Sequence, residues 1–244
     1  MGTAIVVTSG KGGTGKTSLT GGLASCLAAL GRRVLCIDMD VGLRNLDITL
    51  GMTDRALMDF TDVIAGRCPL ERAAAPHPQL VNLFLLTAPV NPSAGLDPAR
   101  VSALLDQARA QFDYVLIDSP AGVGDGFRLA ACGADRAIVV STSDASSLRD
   151  AQRAVGELSL PTIHLVVNRV QPRLLRRLRA TIDDAMDTAG LPLLGVVPED
   201  EGVMLSANQG VPIILNTRGK GAALAYLNIA KRIEGLRVPI MRLR

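Results

Sequence analysis

A doubly wound α/β fold, a mostly parallel sheet flanked by helices on both faces, is the class this sequence predicts. Three observations carry that expectation. Short β-rich apolar runs alternate with longer segments of helical period along the chain. Several of the runs are apolar on both faces, as strands covered from above and below must be. The first run opens into a glycine-rich stretch, SGKGGTGKTS at 9–18, and a helical pattern follows it.

Taken in order, the expected strands are 4–8, 33–38, 83–88, 114–118, 137–142, 163–168 and 193–197. Leu19, Leu23, Cys26, Leu27 and Leu30 recur at i, i+4, i+7, i+8 and i+11, one stripe of a helix closed by Gly31. Val101, Leu104, Leu105 and Ala108 form a second stripe, with Asp97 placed to cap it and Pro98 at its first position. PRLLRRLRA at 172–180 sets Arg173, Arg176 and Arg177 on one helix face. They precede Asp183, Asp184 and Asp187, an order that opposes the helix macrodipole. That face reads as solvated, with a dock for an acidic partner or DNA as the alternative. No linker, repeat or low-complexity segment interrupts the alternation, so one domain over 1–236 is expected, with a short basic and apolar tail at 237–244.

Composition narrows the function classes. The apolar fraction of 48% is ample for a core, and aromatics at 2% with no Trp make that core aliphatic. The same scarcity argues against a base-stacking platform, and a net charge of +3 reads as ordinary surface balance, so a nucleic-acid ligand is not expected. Cys26, Cys36, Cys68 and Cys132 are too far apart for a zinc knuckle, redox pair or disulfide framework, and Cys132 is expected to be a small buried side chain. His77 and His164 are isolated from any acid or thiol cluster and read as structural or surface residues. The N-terminal MGTAIVV has no basic region before its apolar stretch, and Val6 stands where a myristoylation signal needs Ser or Thr. No apolar run approaches membrane-spanning length. A cytosolic chain is the expectation.

The chemistry sits in the glycine-rich stretch. Gly10, Gly15, Lys16 and Thr17 satisfy G-x-x-x-x-G-K-[ST] between a strand and a helix. Such a loop directs backbone N–H groups at phosphates without Cβ clashes, and the helix N-terminus adds partial positive charge. Lys16 should reach the β- and γ-phosphates and Thr17 should ligate Mg²⁺. Asp38 and Asp40 alternate at the carboxyl end of the second strand, beside the loop. Asp118 closes the apolar run YVLID, where an acid holds Mg²⁺ through water. Lys11 is the surplus residue, since two ammonium groups in one loop repel unless polyanions lie beside both.

GKGGTGKT resembles the deviant Walker A motif of the MinD/ParA family of P-loop ATPases, and the resemblance extends over nearly the whole chain. DMDVGLRNLD (38–47) and DSPAG (118–122) are similar to that family's first and second switches and occur in its order. The resemblance implies an ATP-bridged homodimer in which Lys11 touches the phosphates held by the other subunit. It implies that Asp40 orients the attacking water with Asn45 beside it, that Asp38 supports the Mg²⁺ shell, and that Gly122 and Gly124 let the second switch move. The nucleotide set is then Gly10, Lys11, Gly12, Gly13, Thr14, Gly15, Lys16, Thr17 and Ser18. Asn168, Arg169, Pro198, Glu199 and Asp200 would hold the adenine.

The MinD branch of the family implies more: a role in placing the division septum, a MinC-like division inhibitor, and a partner that stimulates hydrolysis. It also implies peripheral association with an anionic membrane through an amphipathic C-terminal helix. Here Pro239 interrupts any such helix and only five residues follow it. Ile240, Met241 and Leu243 interleave with Arg237, Arg242 and Arg244 over a small apolar area, so membrane contact is weakly supported. A ParA-like DNA-partitioning ATPase and an iron–sulfur carrier with a P-loop are the rival readings.

Overall fold

In the computed structural model, residues 1–41, 43–90, 95–217 and 219–241 are described. The last three residues of the tail, Arg242, Leu243 and Arg244, fall outside them. The chain runs β1 (Thr3–Thr8), α1 (Lys16–Ala29), β2 (Val34–Asp38), α2 (Leu46–Leu50), α3 (Phe60–Ile64), α4 (Leu70–Ala73), β3 (Ala75–Pro76) and β4 (Leu83–Leu86). It continues through α5 (Pro98–Gln111), β5 (Tyr114–Asp118), α6 (Asp125–Ala131), β6 (Arg136–Ser141), α7 (Ala145–Gly156) and β7 (Ile163–Val170). It closes with α8 (Pro172–Leu178), α9 (Ile182–Ala189), β8 (Leu193–Pro198), α10 (Glu201–Gln209), α11 (Ile213–Asn216) and α12 (Gly221–Ile233).

The sheet has the order β3-β4-β2-β5-β1-β6-β7-β8, parallel except for β3. Later strands lie on either side of β1, so the chain changes winding direction there and leaves a crevice at its carboxyl end. Alternation along β1 serves two cores: Ile5 and Val7 join Leu19, Leu23, Leu116 and Tyr226, while Ala4 and Val6 face Leu35, Ile37, Leu105 and Val115. A third cluster packs α7 and α9 on Val139, Leu165 and Val167.

All seven expected strands are present: 114–118 coincides with β5, and the other six have ends displaced by one or two residues. The eighth, β3, is two residues long and antiparallel, too short for an alternation to show. On α5 the structure bears out both the stripe and the cap: Val101, Leu104, Leu105 and Ala108 are buried, and Asp97 accepts from the Ala99 N–H at 2.9 Å. The α1 stripe needs one correction. Leu30 is the C-cap and lies exposed, because the helix has ended at Ala29.

The arginine-rich segment is also corrected. α8 stops at Leu178 with Arg179 in the left-handed region, and Thr181 starts a separate helix with a capping box to Asp184. Arg176 and Arg177 therefore stand in a last turn and Asp183 and Asp184 in a first turn, where the macrodipole favours each. Cys132 is half-buried, its thiol 3.5 Å from the Pro98 carbonyl. His77 is structural: it is buried, bonds the Leu50 carbonyl through Nε2 at 2.9 Å, and accepts from Leu80 N–H at Nδ1.

Candidate nucleotide site

The loop after β1 enters α1 through Gly15, which has φ +84 and a neighbour that excludes any side chain: a Cβ there would lie 2.3 Å from Asn168 Nδ2. Lys16 points inward. It is buried, and its ammonium sits 3.0 Å from Asp118 Oδ1 at the end of β5. The Thr17 hydroxyl donates to the other Asp118 oxygen at 2.7 Å. Thr14 is buried and its hydroxyl has no partner among the described residues, an orphan donor within the phosphate loop. Gly12 and Gly13 are exposed at the loop tip, Ser18 is half-buried, and Gly10 abuts the Asp150 backbone of α7.

The acids that close β2 and β5 stand side by side in the sheet. Asp38 and Asp118 are in register on β2 and β5. Asp38 is buried and accepts from the N–H groups of Asp40 at 2.9 Å and Leu46 at 3.2 Å, which folds the segment after β2 around its carboxylate. Burial, aided by the neighbouring Asp118 charge, pushes the Asp38 carboxyl up to about 7 against the pull of those two donors. Asp40 is half-buried, and desolvation raises its carboxyl although Lys16 counteracts. Asn45 is exposed at the start of α2. Asp38, Asp118 and Thr17 form an all-oxygen set suited to Mg²⁺, which takes few protein ligands and relies on phosphate and water for the rest. No group of three or more His, Cys, Asp or Glu side chains gathers into a metal site among the described residues.

Lys11 points the other way. It is half-exposed, with its ammonium 3.0 Å from Asp144 Oδ1 and 2.9 Å from the Ser146 hydroxyl at the start of α7. Desolvation opposes ionisation of Asp144, yet donors from Thr142, Ser146, Ser147 and Lys11 together hold its carboxyl well below the usual range. The sequence reading missed this anchor. Asp144 caps α7 by accepting from Ser147 N–H, a start signal legible in DASS, but nothing local ties it to a lysine 133 residues away.

The residues expected at the base occupy the ends of β7 and β8. Asn168 is buried and donates to the Thr14 carbonyl at 2.8 Å. Arg169 pairs with Glu199, and Pro198 is half-buried beside it. Asp200 has a structural duty that sequence reasoning did not assign: one oxygen accepts from Gly202 N–H and the other from Ala222 N–H, each at 2.8 Å, capping α10 and α12 together. Both oxygens thereby serve helix capping. The tail folds back over the far end of the sheet, where Arg232 donates to the Val238 carbonyl at 2.7 and 3.0 Å and Met241 packs on the core. No helix of the described residues is long and apolar enough to cross a membrane.

Known proteins share this fold. Residues 5–213 match the model of the CobQ/CobB/MinD/ParA nucleotide binding domain. The septum site-determining protein MinD of Synechocystis is 40% identical over 242 residues, 97% of this chain and 91% of that protein. Among solved structures, the MinC:MinD cell division protein complex of Aquifex aeolicus contains a chain with TM-score 0.92 and 35% identity, covering 98% of both chains. MinD of Pyrococcus horikoshii complexed with Mg-ADP gives TM-score 0.85 and 30% identity, covering 96% of both.

Proposed function

The chain belongs to the CobQ/CobB/MinD/ParA family of nucleotide-binding proteins, and on that premise we propose that it is a MinD-like, Mg²⁺-dependent ATPase switch acting in division-septum placement. The observation that carries this reading is the divergence of the two loop lysines. Lys16 is turned inward onto Asp118, while Lys11 is held at the surface by an exposed pair that a partner's polyanion can displace. One lysine serves the chain's own nucleotide; the other is available to a second subunit.

The loop N–H groups and Lys16 would cradle the phosphates, with Thr17, Asp118 and Asp38 holding Mg²⁺, which neutralises charge on the transferring group. Asp40 sits at the rim of this set, where a carboxylate can orient water in line with the γ-phosphate. Asn168 and the loop at 198–200 would receive adenine, with the Asp200 carboxylate also holding the starts of α10 and α12.

The functional unit would span 1–236. Likeness to the MinD chain of a MinC:MinD complex supports a MinC-type division inhibitor as partner of the ATP-bound dimer, and a separate stimulating protein would trigger hydrolysis. Arg232 ties the tail to the fold at the Val238 carbonyl, and Ile240 beyond it is exposed, where it could meet an anionic inner membrane face. Sedimentation with anionic vesicles under ATP and ADP, beside a DNA-shift control, tests the assignment. ATP-dependent retention on DNA with none on vesicles would replace it with a partitioning ATPase.

A further inference from the structure

The end of β7 is irregular. Its register against β8 shifts between Val167 and Val170, and Arg169 takes φ +55, a left-handed conformation that a branched-free but bulky L residue adopts only when its surroundings hold it there. Steps of this kind re-aim side chains at strand ends. Here two consecutive residues are turned onto the phosphate loop. Asn168 Nδ2 donates to the Thr14 carbonyl at 2.8 Å, and Arg169 Nη1 donates to the Gly13 carbonyl at 3.2 Å. The rest of the guanidinium grips Glu199, with Nε 2.9 Å from Oε2 and Nη2 3.3 Å from Oε1. A single fork spans the phosphate loop, the end of β7 and the loop after β8.

Across a trans peptide the carbonyl and the following N–H point in opposite directions. Holding the Gly13 carbonyl outward therefore turns the Thr14 N–H inward, and holding the Thr14 carbonyl does the same for the Gly15 N–H. These are the donors a phosphate meets. A lysine would replace the fork only in part, since one ammonium cannot reproduce the planar set of contacts from Nε, Nη1 and Nη2 to Gly13 and Glu199.

We propose that Arg169, braced by Glu199, is a positioning residue for the phosphate loop: it fixes the Gly13–Thr14 peptide plane for the polyphosphate and does not serve chiefly as a base contact. The ligand half of this inference rests on the nucleotide-binding reading above; the loop-ordering half does not.

Hydrogen–deuterium exchange of the nucleotide-free full chain tests the loop. Arg169→Ala, and Arg169→Gly as a variant free of backbone strain, should raise exchange in segment 9–18 about fivefold, leaving the β1 and β5 core protected. Glu199→Ala should shift the same segment in the same direction, and the Arg169→Ala/Glu199→Ala double variant should go no further than Arg169→Ala alone. Unchanged exchange at 9–18 in both Arg169 variants overturns the proposal.

A second arm uses Mg²⁺ with inorganic tripolyphosphate, which has no base. Arg169→Ala should bind it about fivefold more weakly than wild type, with Arg169→Lys intermediate. A variant that keeps tripolyphosphate affinity but loses ATP affinity assigns Arg169 to the base and also overturns the proposal. Should wild type bind neither ligand, the nucleotide reading is what fails, and the exchange arm still decides the brace.

Discussion

The Lys11 ammonium and the Asp144 carboxylate of the same chain stand 3.0 Å apart, closing a contact over 133 residues of sequence. In the proposed ATP-bridged dimer, this pair would hold within one protomer the cation that the interface needs. Lys11→Ala should therefore bind nucleotide through Lys16 and still sediment as a monomer with ATP. Asp144→Asn removes the charge yet keeps a capping side chain. Because each exposed pair is worth under about 1 kcal/mol and a dimer holds two, freeing Lys11 should lower the ATP-dimer dissociation constant by at least about twofold and by no more than about 30-fold. Sedimentation equilibrium reads both outcomes, and an unchanged constant in Asp144→Asn denies the cis anchor any role.

Asp40→Ala should retain ATP affinity, since the phosphate loop and Asp118 are untouched, and should lose about 100-fold or more in hydrolysis. A phosphate-release assay at saturating Mg-ATP gives the answer. Turnover at the wild-type rate removes Asp40 from the water-orienting role.

Asp38 gives the metal-free protein a pH signature. Its carboxyl is raised to about 7 when folded, mainly by burial, from an unfolded value near 4. The unfolded chain thus releases this proton first as pH rises. The contribution to stability is complete below about pH 4 and is lost between about pH 4 and pH 7. In EDTA, Tm should fall over that window, and Asp38→Asn should flatten the slope. Matching slopes in the two proteins would falsify the buried-acid assignment.

Gly22 on α1 faces the ring of Tyr226 on α12, where a Cβ would lie 2.4 Å from the ring carbon Cδ2. Tyr226 is fully buried and cannot yield without opening the α1–α12 contact. Gly22→Ala should destabilise by about 1–3 kcal/mol in urea denaturation, despite the better helix propensity of alanine. A neutral or stabilising substitution contradicts the packing.

Much of this molecule was legible in its residues. The seven longer strands, the α5 cap at Asp97 and the acids closing β2 and β5 follow from local periodicity and motif spacing, because each depends on neighbours in sequence. What was not legible depends on distant contacts. Nothing in PRLLRRLRA says that the helix breaks at Arg179, where a left-handed residue and the Thr181 capping box start another. Nothing near Asp200 says that its carboxylate will cap α12 as well as α10, since Ala222 arrives from another part of the fold. The partners of Lys11 and Arg169 were hidden for the same reason. Those contacts refine the candidate site: the motif named the residues expected around a nucleotide, and the fold shows what holds them.

The account turns on a dimer bridged by ATP, and the mass of Asp40→Ala at high concentration tests it most directly. By light scattering after gel filtration, the Mg-ATP-loaded protein should weigh twice the 25.6 kDa chain mass, and the Mg-ADP-loaded protein should weigh that mass once. A single-chain mass under Mg-ATP, with ATP binding confirmed in the same sample, would contradict it.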